Sequence, residues 1–368
     1  MRSSWFSRYI LPGLVLKAAI IGGGYLSGRE LEQYFAGQGP LAGLLGMGIA
    51  MVIWSCVYAA TLEFARVHRS YEYRTFFRKL LGPGWILFEI AYVAMILTAL
   101  SVFVSVAGNT FHDLTGLALF ACEAAFMAAV AVLLFFGTRL VETFLSVWSF
   151  ALYATFAALV ILTFALYGDE IAKHVRMAPS FDLSVVVVQG VKYAGYNISV
   201  MTAVLFCARH MENRTDAIVG GLLGGPLAML PGIFFFLALS AFDPGIRAQP
   251  VPAEYLLTRL NAPWFRVLFL AVMAITLLGT CCALVHAVNE RLAQASRAAG
   301  RNFNRPARAA VAAATMLVSV LIADKVGLVA LVDRGYGVLA WVFIATFMIP
   351  ILTYGIYKIA RLPQLALG

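Results

Sequence analysis

The chain has 368 residues, 62% hydrophobic and only 12% charged, with a formal net charge of +9. Soluble domains are near half apolar and a quarter charged, so this composition argues against an ordinary globular enzyme. It argues equally against a compact basic nucleic-acid-binding domain, because the Lys and Arg residues sit at the ends of apolar blocks.

Each block has the length needed to cross a hydrocarbon core of about 30 Å as a helix. Helix is the expected form because backbone polar groups in lipid must be satisfied within the segment. The alternating ten-residue segments of a β-barrel are not found. In chain order the predicted spans cover about 10–37, 40–66, 84–110, 115–136, 139–167, 183–208, 216–241, 264–292, 307–323 and 336–359. The first could be mistaken for a signal peptide, since Arg2 and Arg8 precede Ile10 to Ile21. Lys17 interrupts that run, and Arg29 and Glu30 follow with no small-x-small cleavage site, so it reads as a retained span. The basic connection 68–82 predicts a short surface helix. The connection 242–262 holds Pro244, Pro250 and Pro252 and then Ala253 to Leu260, a short re-entrant or surface helix. Cys56, Cys122, Cys207, Cys281 and Cys282 lie inside apolar blocks without metal-ligand spacing and read as packing residues.

Orientation follows from the basic residues in the connections. With the N-terminus in the cytoplasm, that side carries seventeen Lys and Arg and the other side seven. The expectation is a multi-pass protein of the bacterial inner membrane with both termini cytoplasmic.

Two spans carry interruptions. Gly22, Gly23, Gly24 and Gly28 fall within seven residues, and Arg29-Glu30 follow. Glycine costs about 1 kcal/mol relative to alanine inside a helix, so span 1 reads as half-helices 10–21 and 28–37 joined by an unwound segment. Such a segment is tolerated only where it is buried in protein or lines a watery cavity. Span 6 has a milder version, Lys192-Tyr193-Ala194-Gly195-Tyr196-Asn197-Ile198-Ser199. The two lie about 172 residues apart, the offset expected if spans 6–10 repeat spans 1–5. The fold class is therefore all-α: a single transmembrane domain over 1–368 with about ten helices in a 5+5 inverted repeat, about 10–168 and 183–360. Helices 1 and 6 are broken, and transporters of this design bind substrate and ions at such breaks.

The stretches Gly22 to Phe35 (GGGYLSGRELEQYF) and Tyr193 to Phe206 (YAGYNISVMTAVLF) resemble the first and sixth spans of the YkvI-type bacterial membrane proteins. That family looks related to the amino acid–polyamine–organocation superfamily, whose members share the LeuT-type fold. The resemblance implies a central site lined by Gly22, Gly23, Gly24, Tyr25 and Ser27, and by Ala194 to Ser199 with Tyr196 and Asn197. It also implies a sodium position at the carbonyls of Ala18 and Ile21 and at hydroxyls on span 8. There Thr280 fits, while Cys281 or Gly279 replaces the second hydroxyl, which weakens the case for sodium.

The remaining candidates each carry two readings. Lys17, one turn before the first break, either takes the vacant sodium position and couples transport to protons or snorkels to the surface. Glu30 either caps the second half-helix or receives a substrate amine or a proton; Arg29 is either part of that cap or an outer gate. Lys192 either snorkels or meets an anionic group, and Tyr25 and Tyr196 either sandwich a ligand or pack helices. His286, Asn289 and Glu290 read as a helix-end cluster, and Glu63, Glu89, Glu123 and Glu142 as scattered carboxylates, Glu89 and Glu123 being deeper. Gly43, Gly46, Ala50, Gly220, Gly221 and Gly224 permit close helix packing. With no phosphate loop, HExxH or nucleophile elbow, no enzyme, metal or organic cofactor is expected. The reading is a secondary active transporter of a small polar, nitrogenous solute, an amino acid or amine, moved by alternating access and coupled to H+ or Na+. The alternative is a non-transporting small-molecule sensor on the same fold. Partners are the solute and the lipid bilayer, not nucleic acid, and the oligomeric state is open.

Overall fold

The computed structural model describes residues 4–21, 23–136, 138–177, 180–298 and 303–365. Gly22 of the first break, and Arg2 and Arg301 of the charge count, lie outside the described residues. All regular structure among the described residues is helical. The chain opens with α1 (Trp5–Tyr9), α2 (Leu11–Ile20), α3 (Gly23–Leu26) and α4 (Arg29–Phe35). Then come α5 (Pro40–Val67), α6 (Tyr73–Leu81), α7 (Trp85–Thr115), α8 (Leu119–Phe136) and α9 (Thr138–Arg176). The second part has α10 (Leu183–Asn197) with a 3-10 continuation (Ile198–His210), α11 (Arg214–Ser240), α12 (Pro252–Arg259), α13 (Pro263–Ala298) and α14 (Arg305–Val326). It ends in α15 (Leu328–Ala330), α16 (Tyr336–Phe343) and α17 (Ile356–Leu365), linked by π-helical turns.

Among the described residues, eight helical stretches are long and apolar enough to cross a membrane, and Leu11–Ile20 and Leu119–Leu134 are shorter apolar helices. The eight overlap predicted spans 2, 3 and 5 to 10, and the shorter two fall on spans 1 and 4. The basic connection holds α6, and the proline-rich one holds α12. Predicted span 5 stops at Tyr167, where non-helical angles (φ −128°, ψ 23°) kink α9.

Two groups of helices pack around the interrupted segment. Helix α5 contacts α10 and α11, and α11 contacts α2; α7, α8, α13 and α14 contact one another, while α16 contacts both α10 and α7. Small residues make the first group possible. A side chain on Gly225 would meet the Met51 carbonyl oxygen at 2.5 Å and the Ser55 hydroxyl, and one on Gly221 would meet the Ala59 backbone. At this distance Ser55 donates across the seam to the Leu222 carbonyl at 2.9 Å, and Tyr58 donates to that of Pro12 at 3.0 Å. Helix starts are closed by side chains: Asn213 accepts from the Asp216 N–H at 2.9 Å and Asn304 from that of Ala307 at 3.1 Å. Asp182 accepts from the Ser184 N–H at 2.8 Å, and the Ser184 bonds hold its carboxyl below its usual range.

A matched pair tests the seam. Gly225→Ala is expected to destabilise the protein by about 1–3 kcal/mol, the usual cost of overpacking. Gly48→Ala in α5, with nothing within 4 Å of the added carbon, is expected to be neutral or to stabilise by up to about 1 kcal/mol. Thermal unfolding in detergent reads both.

Candidate functional site

The first helical crossing is interrupted where the glycines are. Helix α2 ends at Ile20, and Ile21 leaves helical geometry at ψ 73°. One turn, α3, follows, and Gly28 then takes a left-handed φ of +76° to begin α4. A side chain at Gly28 would be strained by that angle and would also meet Leu239 at 3.0 Å. The freed backbone groups find partners. Ser27 accepts the Arg29 N–H at 3.2 Å through its hydroxyl, and its carbonyl accepts the Ala253 N–H at 2.9 Å. The predicted surface helix α12 therefore lies on the break, its first-turn donor meeting the orphan acceptor.

The second interruption takes a different form. Helix α10 runs without unwinding through Ala194 to Asn197 and then tightens into the 3-10 segment. The Ile198 N–H still reaches the carbonyls of Ala194 and Tyr196. The polar side chains turn back on their own helix: Asn197 donates to the Tyr193 carbonyl at 3.0 Å and Ser199 to that of Tyr196 at 2.8 Å. The expected unwound segment from Ala194 to Ser199 is thus a change of helical pitch.

A cavity of about 130 Å³ lies where both features meet α7, α13 and α16. Its walls include Tyr25, Glu30, Tyr92, Tyr196, Asn197 and Thr280, and Tyr336 and Ser199 join them. Glu30 is buried, and the Tyr196 hydroxyl donates to its carboxylate. Tyr336 stacks on Tyr196 with centroids 4.6 Å apart and planes at 14°.

On the side of α12 the cavity is shut by side chains. Arg29 is buried and donates to the carbonyls of Arg247 at 3.0 Å and Gln249 at 3.1 Å. It also donates to Gln33 at 3.1 Å, and Gln33 donates to Asp333 at 3.1 Å. Tyr34 donates to the Val332 carbonyl at 3.1 Å. Beside this closure, burial raises the Glu254 carboxyl above its ordinary range, although Arg266 donates to it at 2.7 Å.

A larger cavity of about 440 Å³ adjoins the first, and Ala19, Tyr92, Val200, Thr280 and Leu284 line both. Ala18 and Ile21 face it with Thr276, Gly279 and Thr280, whereas Cys281 is fully buried and lines neither cavity. The second hydroxyl on this face is therefore Thr276, one turn from Thr280. Both hydroxyls donate to carbonyls of their own helix at 2.8 Å. The Lys17 ammonium lies 4.1 Å from the centroid of Tyr153, which also lines this cavity.

Other predicted residues are elsewhere. Lys192 is half-buried and lines neither cavity. Glu290 pairs with Arg308 at 2.6 Å and Arg297 at 3.9 Å, a helix-end cluster. Arg291 pairs with Glu89 at 2.8 Å and lies 4.1 Å from the rings of both Tyr73 and Tyr92. Glu63 pairs with Arg66 at 2.8 Å. Glu123 is fully buried, and its side chain occupies the room left by Gly108. Tyr92, Tyr336, Thr276, Tyr153, Gln33 and Asp333 are site or closure residues that sequence reasoning missed. Of these, only Thr276, four residues before Thr280, had a signal, its helical spacing.

No model of a known protein family matches the chain, and no curated protein matches it. Among solved structures, MhsT in complex with L-phenylalanine aligns with a TM-score of 0.55 at 18% identity, over 98% of this chain and 89% of that one. A mutant of the Eremococcus coleocola manganese transporter aligns at a TM-score of 0.44 and 14% identity, over 97% and 95% of the two chains. The same transporter with an aromatic bis-isothiourea substituted compound gives 0.43 and 14%, over 95% and 94%. The eight long apolar helices indicate a multi-pass membrane protein, and the first match shows the LeuT-type fold. At that identity it shows the fold alone.

Removing the link between Arg29 and Asp333 is expected to loosen the closure. Gln33→Leu deletes two hydrogen bonds of about 1 kcal/mol each, roughly a 30-fold change in an open-to-closed ratio. The readout is the labelling rate of a cysteine placed at Ala99 on the cavity wall, with an impermeant thiol reagent added on the α12 side. An unchanged rate would show that these residues do not hold that side shut.

Proposed function

We propose that the protein is a secondary active transporter that carries a small polar, nitrogenous solute, an amino acid or an amine, by alternating access. The observation that carries this reading is the cavity at the interrupted first helix, with a buried carboxylate on an otherwise largely apolar wall. It lies where the break meets α7, α10, α13 and α16, is flanked on the α12 side by the Arg29 hydrogen bonds, and adjoins a larger cavity that in this reading is the path to the other side. A site that communicates with one side while barred from the other is what alternating access requires. In this reading the chain makes ten crossings in a 5+5 inverted repeat, belongs with the YkvI-type proteins, and sits in the bacterial inner membrane with both termini cytoplasmic. The α12 face is then external, and Arg29 bars the external path.

The coupling ion in this reading is the proton. Thr276 and Thr280 are engaged with their own helix, and the Lys17 ammonium sits beside the same cavity on Tyr153. Lys17 then supplies the positive charge that a sodium ion supplies in sodium-coupled relatives of the fold.

The test is solute flux in proteoliposomes under an imposed gradient of protons or of sodium. One pH unit corresponds to about 1.4 kcal/mol per proton, hence about tenfold accumulation at one proton per solute. That accumulation is expected without sodium and is expected to vanish in Lys17→Gln, while exchange of labelled for unlabelled solute continues. Accumulation driven by sodium alone, or retained in Lys17→Gln, would overturn the coupling. A solute that binds without any flux would favour the sensor.

A further inference from the structure

We infer that the cavity selects an organic monoamine: a solute with one positive charge and a compact apolar or aromatic body, and no carboxylate. The inference rests on the transporter reading above and narrows it. Glu30 is the only charged side chain among the described residues that line the cavity. Its neighbour in sequence, Arg29, is turned to the carbonyls of Arg247 and Gln249, and the Lys17 ammonium lies on Tyr153. No salt bridge to Glu30 forms among the described residues, and its hydrogen bond is from the neutral Tyr196 hydroxyl. A carboxylate removed from water either takes up a proton or gains a compensating charge, and here the cavity leaves room for that charge to arrive with the solute.

The remaining walls suit a cation on an apolar body. Tyr25, Tyr92, Phe103, Tyr196 and Tyr336 face the cavity, and aromatic faces attract ammonium groups. Met95 and Ile96 complete an apolar wall. A solute carboxylate would find no cationic counterpart among the described residues. No Lys or Arg lines the cavity among the described residues. Because α10 passes into its 3-10 segment without unwinding, the Ile198 N–H is engaged and not offered to a ligand. The Arg29 N–H at the start of α4 is held by Ser27, and Glu30 adds a negative charge at the same place.

The test pairs amines with their α-carboxylated counterparts. The probes are 2-phenylethylamine against phenylalanine, isopentylamine against leucine, and 2-phenylethanol as the uncharged control. Binding is read by thermal stabilisation of the purified full chain, and flux by counterflow in proteoliposomes. The amines are expected to bind and exchange, and to do so at least about 30-fold better than the amino acids and the alcohol, the lower range for a buried charge pair. Glu30→Gln is expected to abolish that preference while Glu30→Asp, which keeps the charge, retains it; both must elute as monodisperse folded protein. Should Glu30→Gln fail to fold, Met95→Trp, which fills the cavity and leaves Glu30 in place, is expected to block the amine instead. Amino acids bound in preference to amines, no amine bound at all, or amine binding indifferent to Glu30→Gln and to Met95→Trp would each overturn the inference and leave the transporter reading standing. Glu30-dependent amine binding without counterflow would do the reverse, keeping the cavity assignment and removing transport.

Discussion

The structure depends on one constraint: a helix opened at membrane depth must have its freed backbone groups met by protein. The opening runs from Ile21, which leaves helical geometry, to Gly28 at φ +76°. Its carbonyl at Ser27 is met by the Ala253 N–H in the first turn of α12, which ties that short helix to the break. Its walls are supplied by α7, α10, α13 and α16, which leave a small cavity beside the break. Remove the glycines and there is no reason for the cavity or for α12 to be where they are.

Enclosing such a segment requires helices to approach closely, and in lipid the attraction between them comes from packing and hydrogen bonds. The α5–α11 seam shows both. Gly221 and Gly225 bring backbones together, and at that separation the Ser55 hydroxyl reaches the Leu222 carbonyl. Tyr58 then ties the same helix to α2 through the Pro12 carbonyl. The interrupted crossing is thus anchored at its start by α5 and at its break by α12.

What the sequence revealed and concealed follows from the range of the forces involved. The apolar blocks and the glycine cluster are local properties and are legible in the sequence: the helix interruption falls at the glycines, and α9 kinks at Tyr167, near the end expected for span 5, before running on to Arg176. The pitch change after Asn197 was not legible, because Asn and Ser suit an unwound backbone and a helix whose carbonyls they can reach equally well. Cys281 against Thr276 was a question of helix face, decided only when α13 is set against the cavity. The closure was out of reach altogether: Gln33 and Asp333 are 300 residues apart in the chain, and neither carries a local pattern. Tyr336 and Tyr92 carry no local pattern either, and only the fold brings them to the cavity of Glu30.

The placement of Arg29 and Glu30 makes cavity and closure a single mechanical unit. They are adjacent on α4, so their side chains leave the helix about 100° apart. One enters the cavity and meets Tyr196; the other leaves it and meets the carbonyls of Arg247 and Gln249. Helix α4 is only seven residues long and begins at the left-handed Gly28. A rotation about that point cannot move one group without the other. This short arm therefore carries both the carboxylate of the cavity and the arginine of the closure beside it.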